Sequence, residues 1–189
     1  MTRDASAPAQ PGRPARVFFA LWPDARVVKR LHELGGEAHA VCGGRHMRRE
    51  TLHMTLAFIG DVPHDRLPAL LAVGDRVGAA GFPLALDRLG GWRHNRIVWA
   101  GAHEVPAPLA ALVSRLNGEL AAAGFPVEQR AFAAHVTLLR NARTPLPERT
   151  IDPIEWCVDG FALIESQRRE DGAHYAPIRQ WRASGGPGS

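Results

Sequence analysis

The sequence lacks the marks of several protein classes. Its two cysteines, Cys42 and Cys157, lie far apart and in no Cys-x-x-Cys arrangement, which excludes a disulfide framework and a zinc-cluster motif and makes a reducing compartment the expectation. No apolar run reaches membrane-spanning length, and Met1 to Arg16 is rich in Ala and Pro without the continuous apolar stretch of a signal peptide. A soluble, cytoplasmic protein is expected. Lysine is nearly absent: of 23 basic residues only Lys29 is Lys, and against 19 acidic residues the net charge is +4. That excess suits a phosphate-bearing partner through long-range attraction, yet it is too small to identify a nucleic-acid binder by itself. With 46% apolar and 22% charged residues in 189, there is ample material for a core.

Residues 1–15 and 183–189 offer little to bury and carry helix breakers, so both are expected to be disordered tails around a folded unit over 16–182. Arg16 to Trp22 is an apolar run ended by Pro23 and Asp24, which predicts a buried strand followed by a helix capped by Asp24. Val27, Val28, Leu31 and Leu34 continue that helix up to the Gly35-Gly36 pair. A strand over Leu52 to Ile59 then carries His53-Met-Thr55-Leu56. The same order returns later: a strand over Ile97 to Ala100, a helix over Pro108 to Ala122, and a strand over Phe132 to Leu139 carrying His135-Val-Thr137-Leu138. Phe18 precedes His53 by 35 residues and Ile97 precedes His135 by 38, which points to an internal duplication and two related lobes. Between the copies, 64–80 predicts a helix and 82–89 a strand, and the closing strands fall over Gly160 to Ser166 and Tyr175 to Trp181, Pro177 favouring an edge for the last. The expected fold is α+β and bilobal, with antiparallel-rich sheets around a central cleft and helices outside.

Strand side chains alternate between faces, so His53 and Thr55 share one face while Met54, Leu56 and Phe58 point to the other, and His135 and Thr137 share a face in the second copy. If the lobes face each other, two imidazoles and two hydroxyls converge. Opening a cyclic phosphodiester needs a base for water, an acid for the departing sugar oxygen, and donors for the phosphate oxygens. Histidine suits both proton roles because its ordinary pKa of about 6.5 lets neutral and protonated forms coexist near neutral pH, and neither role calls for a metal or cofactor. A lone His on a strand is usually a packing residue. Two copies in the same strand context are a stronger signal.

These residues resemble the 2H phosphoesterase superfamily, and within it the RNA 2′,3′-cyclic phosphodiesterases also called 2′-5′ RNA ligases. The resemblance rests on Arg16 to Trp22, Arg48 to Gly60, Phe132 to Arg140 and Tyr175 to Trp181, in that order. It implies a metal-free enzyme hydrolysing a 2′,3′-cyclic phosphate end of RNA to a 2′-phosphomonoester, with related ligation chemistry running in reverse. It implies that His53 donates a proton to the 3′ oxygen, that His135 activates water, and that Thr55 and Thr137 hold phosphate. The chain departs from the family at Arg45-His46-Met47, where a Trp often precedes the first motif, and at Ala134, where Pro is common before the second His.

Arg140 lies five residues after His135, so an uninterrupted strand would turn it away from the imidazole, and only a bulge or strand end would bring it to phosphate. Arg48 lines the cleft or is an ordinary surface Arg, and His32 and His39, seven apart, fit a solvated helix face better than a metal site. Of Trp92, Trp99, Trp156 and Trp181, only Trp92 sits in a polar loop context suited to an RNA base. Competing functions are an RNA-end binding module without turnover and a phosphodiesterase for a small cyclic nucleotide. A monomer with an RNA-end partner and no membrane is expected.

Overall fold

The computed structural model describes residues 13–169 and 172–183. The tails expected over 1–15 and 183–189 lie outside them, apart from 13–15 and 183, and Ala15 already pairs with Val62. The run Ala15–Leu21 forms β1, buried at all but one position because the strand is central in its sheet. Its neighbours are β3 (Met54–Val62) and β8 (Gly160–Arg169), with β9 (Gly172–Arg182) at the far edge, giving the antiparallel order β3-β1-β8-β9. Pro177 thus falls on an edge strand, where a residue without an N–H is tolerated. The second sheet has the order β2-β6-β5-β4-β7, built from β2 (Arg45–His46), β4 (Phe82–Trp92), β5 (Ile97–Gly101), β6 (His135–Arg140) and β7 (Arg149–Val158).

The helices bind the lobes together. In α1 (Ala25–Cys42) the Asp24 carboxylate accepts from the Val27 N–H at 2.9 Å, satisfying one of the first turn's free donors. Val27, Leu31, Gly35, Ala38 and Cys42 form its buried face, which packs on β6 and β7 of the second sheet although β1, the strand before it, belongs to the first. Conversely α3 (Ala107–Ala122), which follows β5, packs on β3 and on α2 (Leu67–Val77). Each crossover helix therefore covers the other lobe, and one buried cluster runs through both sheets, from Phe19, Met54 and Leu163 to Leu84, Val136 and Leu138.

Gly35 lies on the buried face of α1, where the room it leaves is filled. A Cβ there would stand 2.5 Å from His46 Nε2, so the glycine makes room for the His46 ring against the helix. His39 is exposed and His32 half-buried, as a solvated helix face requires, and both rings also flank His46, with centroids at 4.3 and 6.2 Å.

The expected helix over 64–80 is a 3-10 turn at His64–Arg66 followed by α2, closed by Gly78. The strand expected over 82–89 runs on to Trp92, and β7 was not expected at all. In β7 only Ile154, Trp156 and Val158 are buried, as befits an edge strand too polar overall to stand out. Among the described residues no helix is long and apolar enough to cross a membrane.

Candidate active site

Both motifs lie on strands that meet where the sheets adjoin, β3 and β6. Each strand starts later than alternation suggests. Arg49–Thr51 forms a 3-10 turn, so His53 stands one residue before β3, and His135 is the first residue of β6. Thr51 is buried, and its hydroxyl donates to the Arg48 carbonyl at 2.8 Å, clipping the turn that delivers His53.

The two copies share a second irregularity. Thr55 pairs with Ala20 and Ala57 with Phe19, so Leu56 is an extra residue; likewise Thr137 pairs with Trp99 and Leu139 with Val98, leaving Leu138 extra. The last residue of each His-x-Thr-Leu is thus a bulge, and a bulge reverses the facing of the residues beyond it. Arg140 is thereby brought to the side of His135 and Thr137. By the same step Phe58 leaves the apolar face on which simple alternation puts it; it is 47% exposed, while Met54 and Leu56 are buried as expected.

His53, Thr55, His135, Thr137 and Arg140 all line one cleft of about 360 Å³. The imidazoles are held alike. Nδ1 of His53 bonds the Thr51 carbonyl at 2.7 Å, and Nδ1 of His135 bonds the Ala133 carbonyl at 2.8 Å. A carbonyl only accepts, so Nδ1 carries the hydrogen in each ring, and Nε2 is left for the cleft.

Their surroundings differ. The His53 ring is walled by Trp22, parallel to it with centroids at 5.6 Å, and by Phe18 at 4.9 Å and Tyr175 at 5.0 Å. This burial lowers its pKa to about 4; the Thr51 carbonyl opposes the shift, and the charges of Arg140 and His135 add to it. Burial also lowers His135, again against its carbonyl bond and with Arg140 contributing, and Trp92 stands edge-on to it at 4.6 Å. Both rings are therefore biased toward the neutral form while no anion is present.

Trp92 stands in the cleft wall with His94 and Asn95, where the sequence context placed it. Trp156 and Trp181 are buried, and the Trp181 indole donates to Asp75 at 2.8 Å. His46 faces α1 and lines no part of the cleft, so it supplies no stacking surface there. Arg48 donates to the Ala173 carbonyl at 2.8 Å and pairs with Glu50 at 3.2 Å, outside the cleft lining. Nothing local in the sequence marks Trp22 and Tyr175 as neighbours of His53. Trp22 follows Leu21, the partner of Met54, so the strand register sets it beside His53, whereas Tyr175 arrives from the far end of the chain.

The chain is similar to known proteins over most of its length. Residues 21–99 and 101–175 each match the family model described as LigT-like phosphoesterase. An Escherichia coli (strain K12) protein named RNA 2′,3′-cyclic phosphodiesterase is 32% identical over 172 residues, 89% of this chain and 96% of that one. A Thermus thermophilus protein of the same name is 29% identical over 181 residues, 90% and 91% of the two chains. The crystal structure of E. coli LigT complexed with 3′-AMP superposes with a TM-score of 0.81 at 31% identity, covering 91% of this chain and 99% of that one. The duplicated match coincides with the two bulged motifs, one in each matched segment.

Proposed function

We propose, from the premise that this chain belongs to the LigT-like phosphoesterase family, that it is an enzyme opening 2′,3′-cyclic phosphate ends of RNA to 2′-phosphomonoesters. The relatives' shared name supports the substrate class. The observation that carries the chemistry is the presence of two similarly tethered imidazoles and two threonines in one cleft.

The cyclic diester carries one negative charge, which Arg140 and the Thr55 and Thr137 hydroxyls receive. Nε2 of His135 takes a proton from water as the water oxygen forms a bond to phosphorus. The bond from phosphorus to O3′ breaks, and a protonated His53 Nε2 delivers its proton to that oxygen, leaving the phosphate on O2′. His135 then returns its proton to solvent and His53 takes one up. Bound phosphate is what makes His53 a donor, because its charge offsets the burial and the Arg140 field that otherwise keep the ring neutral. Both proton transfers are assigned to side chains, so activity is expected to survive EDTA. Both motifs come from one chain, so a monomer suffices, and the cytoplasm suits its two unpaired cysteines.

The test is product analysis with an oligonucleotide ending in a 2′,3′-cyclic phosphate. His53→Ala and His135→Ala should each lower turnover by roughly 10²- to 10⁴-fold, the range of a lost general acid or base. Full activity in either variant, or a 3′-phosphate product, would overturn the mechanism. Tight binding of the oligonucleotide without any product would instead make the cleft an RNA-end binding site.

A further inference from the structure

The cleft continues past Arg140. Beyond Phe58 and Arg140 lies a second hollow of about 460 Å³ that shares Met47, His53, Thr55, Phe58 and Arg140 with the first. Arg16, Arg45, Tyr175 and Ser166 line the second hollow and not the first. Two of its features are left unexplained by opening a cyclic phosphate.

The first is charge. Arg45 on β2 is paired in register with Arg140 on β6, and like charges directly opposite on neighbouring strands repel. Among the described residues no carboxylate pairs with either, so an anion between them would relieve the repulsion. The second is Phe58, one of two large apolar side chains that stand out as exposed among the described residues. The Arg16 guanidinium covers one part of its ring at 4.8 Å and is itself held by Asp61 at 3.3 Å. An exposed, buttressed ring beside unpaired guanidinium groups is what a nucleobase and its phosphodiester need: an aromatic face for stacking and cations for the backbone.

We propose that this hollow binds the nucleotide immediately 5′ of the cyclic end, its phosphodiester at Arg45 and its base on Phe58. The terminal nucleoside then occupies the first cleft, beside Trp92 and Phe132. This rests on the functional assignment above and makes the protein selective for the end of an RNA chain over a cyclic mononucleotide.

The experiment compares kcat/KM of the full-length protein for a trinucleotide ending in a 2′,3′-cyclic phosphate and for a nucleoside 2′,3′-cyclic monophosphate. The trinucleotide should be preferred by roughly tenfold or more, the scale of one stacked base plus one phosphate contact. Arg45→Ala should remove most of that preference through KM, flatten its salt dependence, and leave mononucleotide turnover within about twofold. Phe58→Ala should cost the trinucleotide more than the mononucleotide. Equal kcat/KM for the two substrates, or equal losses on both in Arg45→Ala, would overturn the proposal. Absence of turnover on both substrates would overturn the functional assignment instead. Equilibrium binding of a trinucleotide with a 2′-phosphate end against the matching mononucleotide would then decide the hollow, supporting it if Arg45→Ala abolishes the difference and overturning it if there is none.

Discussion

Replacing Trp22 with alanine isolates the cause of His53's low proton affinity. Three aromatic rings enclose this imidazole, and Trp22 alone lies parallel to it, so its removal opens one ring face to water. With a pKa of about 4, the empty site holds His53 protonated in about one molecule per thousand at pH 7, against about one in four at the ordinary value of 6.5. Trp22→Ala should raise proton affinity roughly tenfold, about 1.4 kcal/mol, moving the midpoint from about 4 toward 6.5. An NMR titration of the His53 ring protons in the ligand-free protein reads this directly. Stability gives a second readout. The folded pKa lies below the unfolded one, so native His53 binds fewer protons than the unfolded chain as pH falls from 6.5 to about 4, and stability is lost across that window. The loss is on the order of 3 kcal/mol, and denaturant titrations at pH 7 and pH 4 should show it shrinking in Trp22→Ala. A His53 midpoint near 6.5 in the unmodified protein, or no change on removing Trp22, would refute burial by these rings as the cause.

Two further outcomes follow from the geometry. Arg140→Ala should lower kcat/KM by roughly a hundredfold, as for a lost preorganised charge donor, and should raise the pKa of both histidines because its charge depresses each. Parallel pH titrations and initial rates check both effects, and unchanged midpoints would contradict the placement of the guanidinium. Gly35→Ala should destabilise the protein by roughly 1–3 kcal/mol in thermal or denaturant unfolding despite alanine's better helix propensity, since the new methyl meets His46. Combining it with His46→Ala should restore much of the loss; equal stability of Gly35→Ala and the unmodified protein would show that the ring gives way freely.

The duplication, the α+β class, the Asp24 cap and the two His-Thr pairs are local in origin, and so they were legible in the chain. They depend on spacing, alternation and side-chain chemistry within a few residues. The position of Arg140 was open because strand parity and a possible bulge gave opposite answers, and Phe58 was assigned to the wrong face for the same reason. β7 was invisible because an edge strand buries only part of its length. The seven-residue spacing put His32 and His39 on one helical face, but the packing of His46 against that face and Gly35 had no local signal, since it depends on β2 joining β6.

Sequence by itself thus determined which groups the proposed proton transfer and phosphate binding draw on, because His-x-Thr on a strand puts both side chains on one face wherever the strand goes. Tertiary structure decided what those groups experience. Crossed helices bring β3 and β6 together, paired bulges turn Arg140 and Phe58 into the cleft, and Trp22 and Tyr175 close over one imidazole and not the other. Desolvation and charge act through space, and the neighbours that impose them lie tens of residues away along the chain.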